Sequence, residues 1–209
     1  MMKSMTGLNK PYAESCDQNR DPIISVIGPL LQEYSSLLEI GSGTGQHAVY
    51  FGSSMPHLDW YTSDRPENLP GIKQWLKEAQ LENVHEPVEL DVTKSDWPDL
   101  RVDAVFSANT LHIMSWQEVQ AFFEGIPRVL NQGGLLMVYG PFNYHGDYTS
   151  ESNARFDAWL KARDPKSGIR DFEDLNRLAL QSGLNLYKDF AMPANNRTLC
   201  WIYNETRDE

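Results

Sequence analysis

Short apolar runs alternate along the chain with stretches in which apolar residues recur at helical spacing. Residues 37–40 read as a strand stopping at Gly41, and 57–63, 87–91 and 102–107 read as three more. The wholly apolar 135–139 is a fifth strand, buried on both faces. Helical patterns fall between them at 45–54, 72–80, 115–130, 153–163 and 171–182. A first helix is expected to open at Asp21-Pro22, with Asp21 as N-cap and Pro22 at the first helical position. Gly28-Pro29 should interrupt it before Tyr34. Ser115-Trp116-Gln117-Glu118 has the form of a capping box, and residues 131–134 (Asn-Gln-Gly-Gly) form the stop signal of that helix. The chain closes with strands at 184–190 and 198–203, joined through Met192-Pro193-Ala194-Asn195-Asn196 as an antiparallel hairpin.

Strands alternating with helices predict an α/β fold: a Rossmann-like, seven-stranded, mostly parallel sheet with a C-terminal antiparallel hairpin. No repeat or linker divides residues 1–209, so one domain is expected, with 1–20 as an N-terminal lid and 141–182 as a helical insertion over the site. In such sheets ligands sit beyond the carboxyl ends of the strands, where the winding reverses. That directs attention to 41–45, Asp64, Asp91 and 108–112, all at predicted strand ends.

Composition narrows the partners. With 209 residues, 41% hydrophobic and 11% aromatic, the chain can bury a real core. Eighteen basic against twenty-nine acidic residues give a net charge of −11, and no Lys/Arg cluster offers a surface for nucleic acid. Cys16 and Cys200 lack metal-ligand spacing, and the five histidines contain no i, i+4 pair, so no metal site is expected. The first residues lack the apolar core of a signal peptide, and no apolar run approaches the ~20 residues of a membrane span. The expectation is a cytoplasmic protein without membrane insertion; its oligomeric state is not legible.

The most informative stretch is Glu39-Ile40-Gly41-Ser42-Gly43-Thr44-Gly45, three alternate glycines between a strand and a helix. Glycine there lets the backbone turn tightly and approach a ligand closely. Glu39, near the buried end of a parallel strand, needs partners, which loop N–H groups or a ligand ammonium would supply. Asp64 lies nineteen residues past Gly45 and suits the two hydroxyls of a ribose. Asp91, in Leu90-Asp91-Val92, suits an adenine amino group. Each acid alone would serve equally as a simple cap; together beside a glycine loop they favour an adenosine ligand. Gly43-Thr44-Gly45-Gln46-His47-Ala48 also fits the dinucleotide fingerprint, so an NAD-dependent oxidoreductase is one alternative and a non-catalytic binding protein another. A carboxylate beside the loop suits a sulfonium with an amino-acid tail better than a pyrophosphate.

These residues resemble the class I S-adenosylmethionine-dependent methyltransferases, whose first motif is matched by Glu39, Gly41, Gly43 and Gly45. Nearly the whole chain is similar to the methyltransferase-like protein 26 family, through residues 12–20, 43–51, 103–113, 139–142, 152–165 and 192–196. The resemblance implies S-adenosylmethionine as cofactor and a small-molecule acceptor. It implies a cofactor set of Arg20, Glu39, Gly41, Ser42, Gly43, Thr44, Gly45, Asp64, Arg65, Asp91, Val92, Asn109 and Leu111, with Arg20 facing the methionine carboxylate. His112, in Asn109-Thr110-Leu111-His112, is the candidate general base, a structural role being its alternative. Tyr12, Phe142, Tyr144, Arg170, Asn195 and Asn196 are candidates for the substrate pocket, whereas Phe156 and Trp159, three apart on one helix face, read as core.

Overall fold

A computed structural model describes residues 10–204; the first part of the expected lid lies outside the described residues. Helix α1 (Glu14–Leu30) leads into β1 (Ser36–Ile40), α2 (Gln46–Ser54), β2 (Asp59–Asp64), α3 (Leu69–Ala79) and β3 (Val84–Glu89). Then come β4 (Val102–Ala108), α4 (Trp116–Val129), β5 (Leu130–Gly140) and the short β6 (Phe142–Asn143). Helix α5 (Glu151–Arg163), the short β7 (Arg170–Asp171), α6 (Phe172–Gln181), β8 (Leu184–Met192) and β9 (Asn196–Tyr203) complete the chain.

Seven strands form one sheet in the order β3-β2-β1-β4-β5-β9-β8, while β6 and β7 pair separately. The strands from β3 to β5 are parallel, and β9 runs antiparallel to both β5 and β8. The chain winds outward from β1 to β3 and then crosses back to β4, so the winding reverses between β1 and β4. Their carboxyl ends carry Gly41 and Asn109, which is where this class of sheet opens a crevice.

Alternation along the strands builds a core on each face. Leu37, Phe106 and Met137 pack against Ile23, Phe51 and Ile72 of the first three helices. Leu38, Val105 and Leu136 pack against Phe122, Phe123 and Leu175 of α4 and α6. Each such side chain, fully withdrawn from water, contributes about 1.5–3 kcal/mol.

Four local expectations need correction. Helix α1 starts at Glu14, with Ala13 as N-cap, so Pro22 lies inside it and Asp21 accepts from Tyr50 Oη (2.5 Å) instead of capping. Pro29 also stays inside the helix; burial of Ile23, Ile27 and Leu31 outweighs the local penalty of about 3 kcal/mol per proline. Strand β3 ends at Glu89, leaving Asp91 in the following turn. The 131–134 stop signal does not separate α4 from β5 but bulges out of the strand: Val102 pairs with Leu130 and Ala104 already with Leu135.

The capping box is formed in full. Glu118 N donates to Ser115 Oγ (3.3 Å) and Ser115 N donates to Glu118 Oε2 (2.6 Å). Ser115→Ala is expected to lower unfolding stability by about 1 kcal/mol in a denaturant titration; an unchanged midpoint would contradict this role. Among the described residues no helix is long and apolar enough to cross a membrane.

Candidate functional site

The glycine loop is a turn with three left-handed residues, Gly41 (φ 77°), Gly43 (φ 59°) and Gly45 (φ 91°). The N–H groups of Gly41 and Ser42 both donate to the Ser63 carbonyl (3.0 and 2.9 Å), tying the loop to the end of β2. Ser42 Oγ accepts from Ser63 N (3.1 Å), so Ser42 is used structurally. Two of the three glycines are required by crowding. A Cβ on Gly41 would lie 2.5 Å from Thr110 Cγ2, and one on Gly45 would lie 3.2 Å from Ile72 Cα. A Cβ on Gly43 would meet nothing within 4 Å; it would point into open space.

Asp64, nearly buried at the end of β2, holds the tip of this loop. Its carboxylate accepts from Gly43 N (2.7 Å), Arg65 N (2.7 Å) and Asn68 Nδ2 (2.8 Å). Glu39 is 1% exposed and lies beneath the loop rather than lining the crevice. Its partners are not loop N–H groups but the Trp60 indole N–H (3.1 Å) on the neighbouring strand and the Ser42 hydroxyl of the loop. Burial pushes its carboxyl up to about 7, against the pull of hydrogen bonds from Trp60 and Ser42. Asp91 turns onto its own segment, accepting from Thr93 N (3.0 Å) and Thr93 Oγ1 (2.7 Å), and these hydrogen bonds hold its carboxyl below the usual range. Its neighbours Leu90 and Val92 line the crevice instead.

Three cavities meet over the switch point. One of about 470 Å³ lies between the loop and the start of α1, bordered by Ala13, Cys16, Thr44 and Gln74. A second of about 280 Å³ is bordered by Asp64, Arg65, Leu90 and Val92. They share Gly41, Gly43, Glu67, Asn68, Ala108 and Asn109 and together form one crescent around the glycine loop. The third, about 660 Å³, lies under α5 and the β8–β9 connection and is bordered by His112, Asn153, Phe156 and Asn196. Asn109 lines all three. It sits just past β4 with a left-handed backbone (φ 58°), held by Asn109 N donating to the Tyr139 carbonyl (2.9 Å). Asparagine tolerates that conformation better than most residues, and strain of this kind gathers at functional positions.

His112 is 7% exposed and borders the third cavity, its ring edge-on to Phe156 at 5.3 Å. Burial lowers its imidazole to about 4, helped by the nearby Arg170 charge, so it is neutral at physiological pH. Its Nδ1 and the Asn109 Oδ1 converge on Gly140, where an added Cβ would lie 3.7 and 4.0 Å from them.

The other sequence candidates divide. Thr44, Arg65, Val92 and Asn196 border the cavities, with Arg65 also ion-paired to Glu118. Arg20 pairs with Asp17 (2.8 Å), stacks on Tyr50 at 4.5 Å and borders none of the three. Leu111 and Phe142 are core residues, each 2% exposed. Tyr144 donates to Asp189 (2.7 Å) and stacks on Phe172. Arg170 is spent on carbonyls, donating to Leu111 O (3.1 Å), Lys166 O (2.9 Å) and Met114 O. Tyr12 is exposed and donates to Asp17 (2.6 Å), and the Asn195 carbonyl accepts from Asn153 (3.1 Å).

Two features escaped the sequence. Residues 10–13 strap across α3: Trp75 Nε1 donates to Pro11 O (2.7 Å), and Gln46 clamps Ala13 through both its N–H (2.6 Å) and its carbonyl (3.2 Å). Phe156 and Trp159 face a cavity rather than the core, and Trp159 is half exposed. The signal was an inverted pattern in α5, whose buried face carries Asn153 and Asp157.

Known proteins share this fold. The tetracenomycin polyketide synthesis 8-O-methyl transferase TcmO of Streptomyces glaucescens is 26% identical over 107 residues, covering 51% of this chain and 31% of its own. The S-adenosylmethionine-dependent methyltransferase SibL superposes with a TM-score of 0.78 at 20% identity, covering 91% of this chain and 56% of SibL. An O-methyltransferase family protein from Burkholderia thailandensis gives a TM-score of 0.81 at 13% identity over 92% of this chain and 57% of that one. This chain thus spans about a third of TcmO and somewhat over half of each solved relative. The fold is the Rossmann-like fold of these methyltransferases. The family model described as a protein of unknown function (DUF938) matches residues 10–203, and the chain belongs to that family.

Proposed function

We propose that the chain is a methyltransferase that uses S-adenosylmethionine to methylate a small-molecule acceptor. The observation that carries this reading is the meeting of the glycine-loop crescent with the large cavity around Asn109, which lines all three spaces, flanked by Ser15 and Ile113, each shared by the large cavity and one arm of the crescent. A donor and an acceptor held in two adjoining spaces is what transfer between them needs.

The crescent fits the cofactor. Gly43 leaves open space where a side chain would stand, Asp64 presents a carboxylate, and Leu90 and Val92 offer apolar walls for a base. Gly41, Gly43, Asp64, Val92 and Asn109 are the residues we assign to hold it. Arg65 flanks the same cavity, and Thr44 borders the cavity assigned to the amino-acid tail. When bound, the group supplies a methyl already activated on a positively charged sulfur. The protein's own share is then mostly placement. Asn109 Oδ1 and the neutral His112 Nδ1, both beside Gly140, orient the acceptor's attacking hydroxyl or amine, and His112 takes up its proton. Beyond β5 the sheet continues into an antiparallel pair, not a second nucleotide-binding half, which disfavours the nicotinamide reading. Our reading also keeps one cytoplasmic domain, likeness to the methyltransferase-like protein 26 family, residues 1–20 as a lid, of which 10–20 are described, and 141–182 as a helical insertion over the site.

Calorimetric titration with S-adenosylhomocysteine tests the cofactor. Binding is expected for the wild type and at least about tenfold weaker in Asp64→Ala, which loses the acceptor for Gly43 N and for a ribose. Equal affinity in a folded Asp64→Ala would remove Asp64 from the site.

A further inference from the structure

The large cavity has an unusual wall. Charged residues make up 22% of the chain, yet none of the seventeen residues bordering this cavity is Asp, Glu, Lys or Arg. His112 is neutral there as well. What the wall offers is amides and rings. Asn19, Asn109 and Asn196 bring carboxamide groups that can donate and accept hydrogen bonds, while Asn153, whose Nδ2 already donates to Thr149 Oγ1 (2.9 Å) and the Asn195 carbonyl (3.1 Å), adds an acceptor oxygen. Asn19 is already anchored to His47 (2.7 Å), so one end of its amide is fixed and the group is held rigidly. Phe156 and Trp159 stack on each other at 5.8 Å with planes 17° apart on α5, and the Arg163 guanidinium lies 4.5 Å from the Trp159 ring. Tyr139 and Pro141, at the end of β5, border the cavity as well. Ile113 is 59% and Trp159 51% exposed at this cavity, leaving apolar surface in water on either side of its mouth.

We propose that this cavity binds an uncharged, flat aromatic acceptor of about two fused rings that carries hydrogen-bonding groups, and that it discriminates against the ionised forms of the same ring system. This rests on the methyltransferase reading for the word acceptor; the binding itself does not. Flat rings satisfy the stacked Phe156–Trp159 surface. Amide walls satisfy hydroxyl, carbonyl or amide substituents, while a carboxylate or ammonium would lose water without an ion-pairing residue on the wall, Arg163 and Arg170 standing behind Trp159 and His112 rather than bordering the cavity. A cavity of about 660 Å³ accommodates two or three rings comfortably. The new bond forms between the acceptor's hydroxyl oxygen, or its neutral amine nitrogen, and the methyl carbon. The carbon–sulfur bond breaks with its electron pair left on sulfur, and the acceptor's proton passes to His112 and on to solvent.

Three probes of one ring and different charge decide the matter: 6-hydroxy-2-naphthamide, 6-hydroxy-2-naphthoate and 6-(aminomethyl)-2-naphthol. Each is titrated calorimetrically into the full chain at pH 7.5, with and without saturating S-adenosylhomocysteine. The neutral amide is expected to bind at least about a hundredfold more tightly than either ion. Asn196→Asp, which puts one carboxylate in the wall, is expected to recover binding of the amine selectively. Comparable binding of naphthoate and naphthamide overturns the proposal, and so does binding of none of the three by a chain that still binds S-adenosylhomocysteine. If the naphthamide binds with the expected selectivity but S-adenosylhomocysteine does not bind, the cavity assignment stands and the methyltransferase reading falls.

Discussion

Gly43→Val is expected to abolish S-adenosylhomocysteine binding while leaving the chain folded. The three loop glycines make different demands. At Gly45 a Cβ would lie 3.2 Å from backbone of Ile72 and 3.3 Å from Trp75 Cβ, and at Gly41 it would lie 2.5 Å from Thr110 Cγ2, so substitution there damages the fold itself. At Gly43 no atom stands within 4 Å of the added carbon. The cost to stability is then confined to a left-handed backbone, about 1–2 kcal/mol for a non-glycine residue. The space that valine would fill is the space assigned to the cofactor, and no neighbouring side chain can move to restore it. A melting curve shifted by only a few degrees, with no calorimetric binding signal, is the expected pair of results. Retained affinity in Gly43→Val would show that the ligand does not pass over the loop. Gly45→Val serves as the contrast, since its loss of binding should come with loss of fold.

Glu39→Gln is expected to make the protein more stable than wild type at pH 8 and about equally stable near pH 4. The wild-type carboxyl has an ordinary value of 4.5 and is raised to about 7 by burial. Between those values the folded chain holds a proton that the unfolded chain has released. Stability from this group is therefore fully present below pH 4.5 and is lost as pH rises through 7, by roughly 3 kcal/mol in all. Glutamine keeps an oxygen to accept the Trp60 indole N–H and cannot ionise. His47 and His112, each lowered to about 4 by burial, act in the opposite direction: their contribution is lost as pH falls from about 6.5 toward 4. Both histidines are present in both proteins, so the difference between the two denaturation profiles isolates Glu39. A difference that is flat with pH, or largest in acid, would contradict the account of a buried, uncharged-preferring carboxyl.

The strands and the glycine-loop side of the candidate site were legible because their signals are local. Gly41, Gly43 and Gly45 between an apolar strand and a helix are recognisable within one short segment, and Asp64 sits at the next strand end. The apolar periodicity of β1, β4 and β5 likewise placed the switch point correctly. What failed was whatever depends on a partner distant in sequence. Glu39 was read as waiting for a ligand because nothing near it in sequence announces Trp60, twenty-one residues away. Asp21-Pro22 looked like a helix start because the burial of Ile23 and Ile27 against another helix is a tertiary effect. The acceptor side suffered most. Arg170 and Tyr144 looked available as polar residues in a loop-rich region, yet one is saturated by carbonyls and the other by Asp189. Phe156 and Trp159 were assigned to the core on spacing alone, whereas α5 buries Asn153 and Asp157 and turns its rings to the cavity. Helical spacing says which residues share a face, not what that face meets.

Turnover tests the central claim most directly. The purified chain is incubated with S-adenosylmethionine carrying a labelled methyl group and a small-molecule extract of cells, and the labelled products are identified by mass. The account predicts S-adenosylhomocysteine release matched by label in an uncharged aromatic compound, both falling sharply in Gly43→Val. Tight S-adenosylhomocysteine binding with no label transferred to any compound of the extract, or label found only on the protein itself, would contradict it.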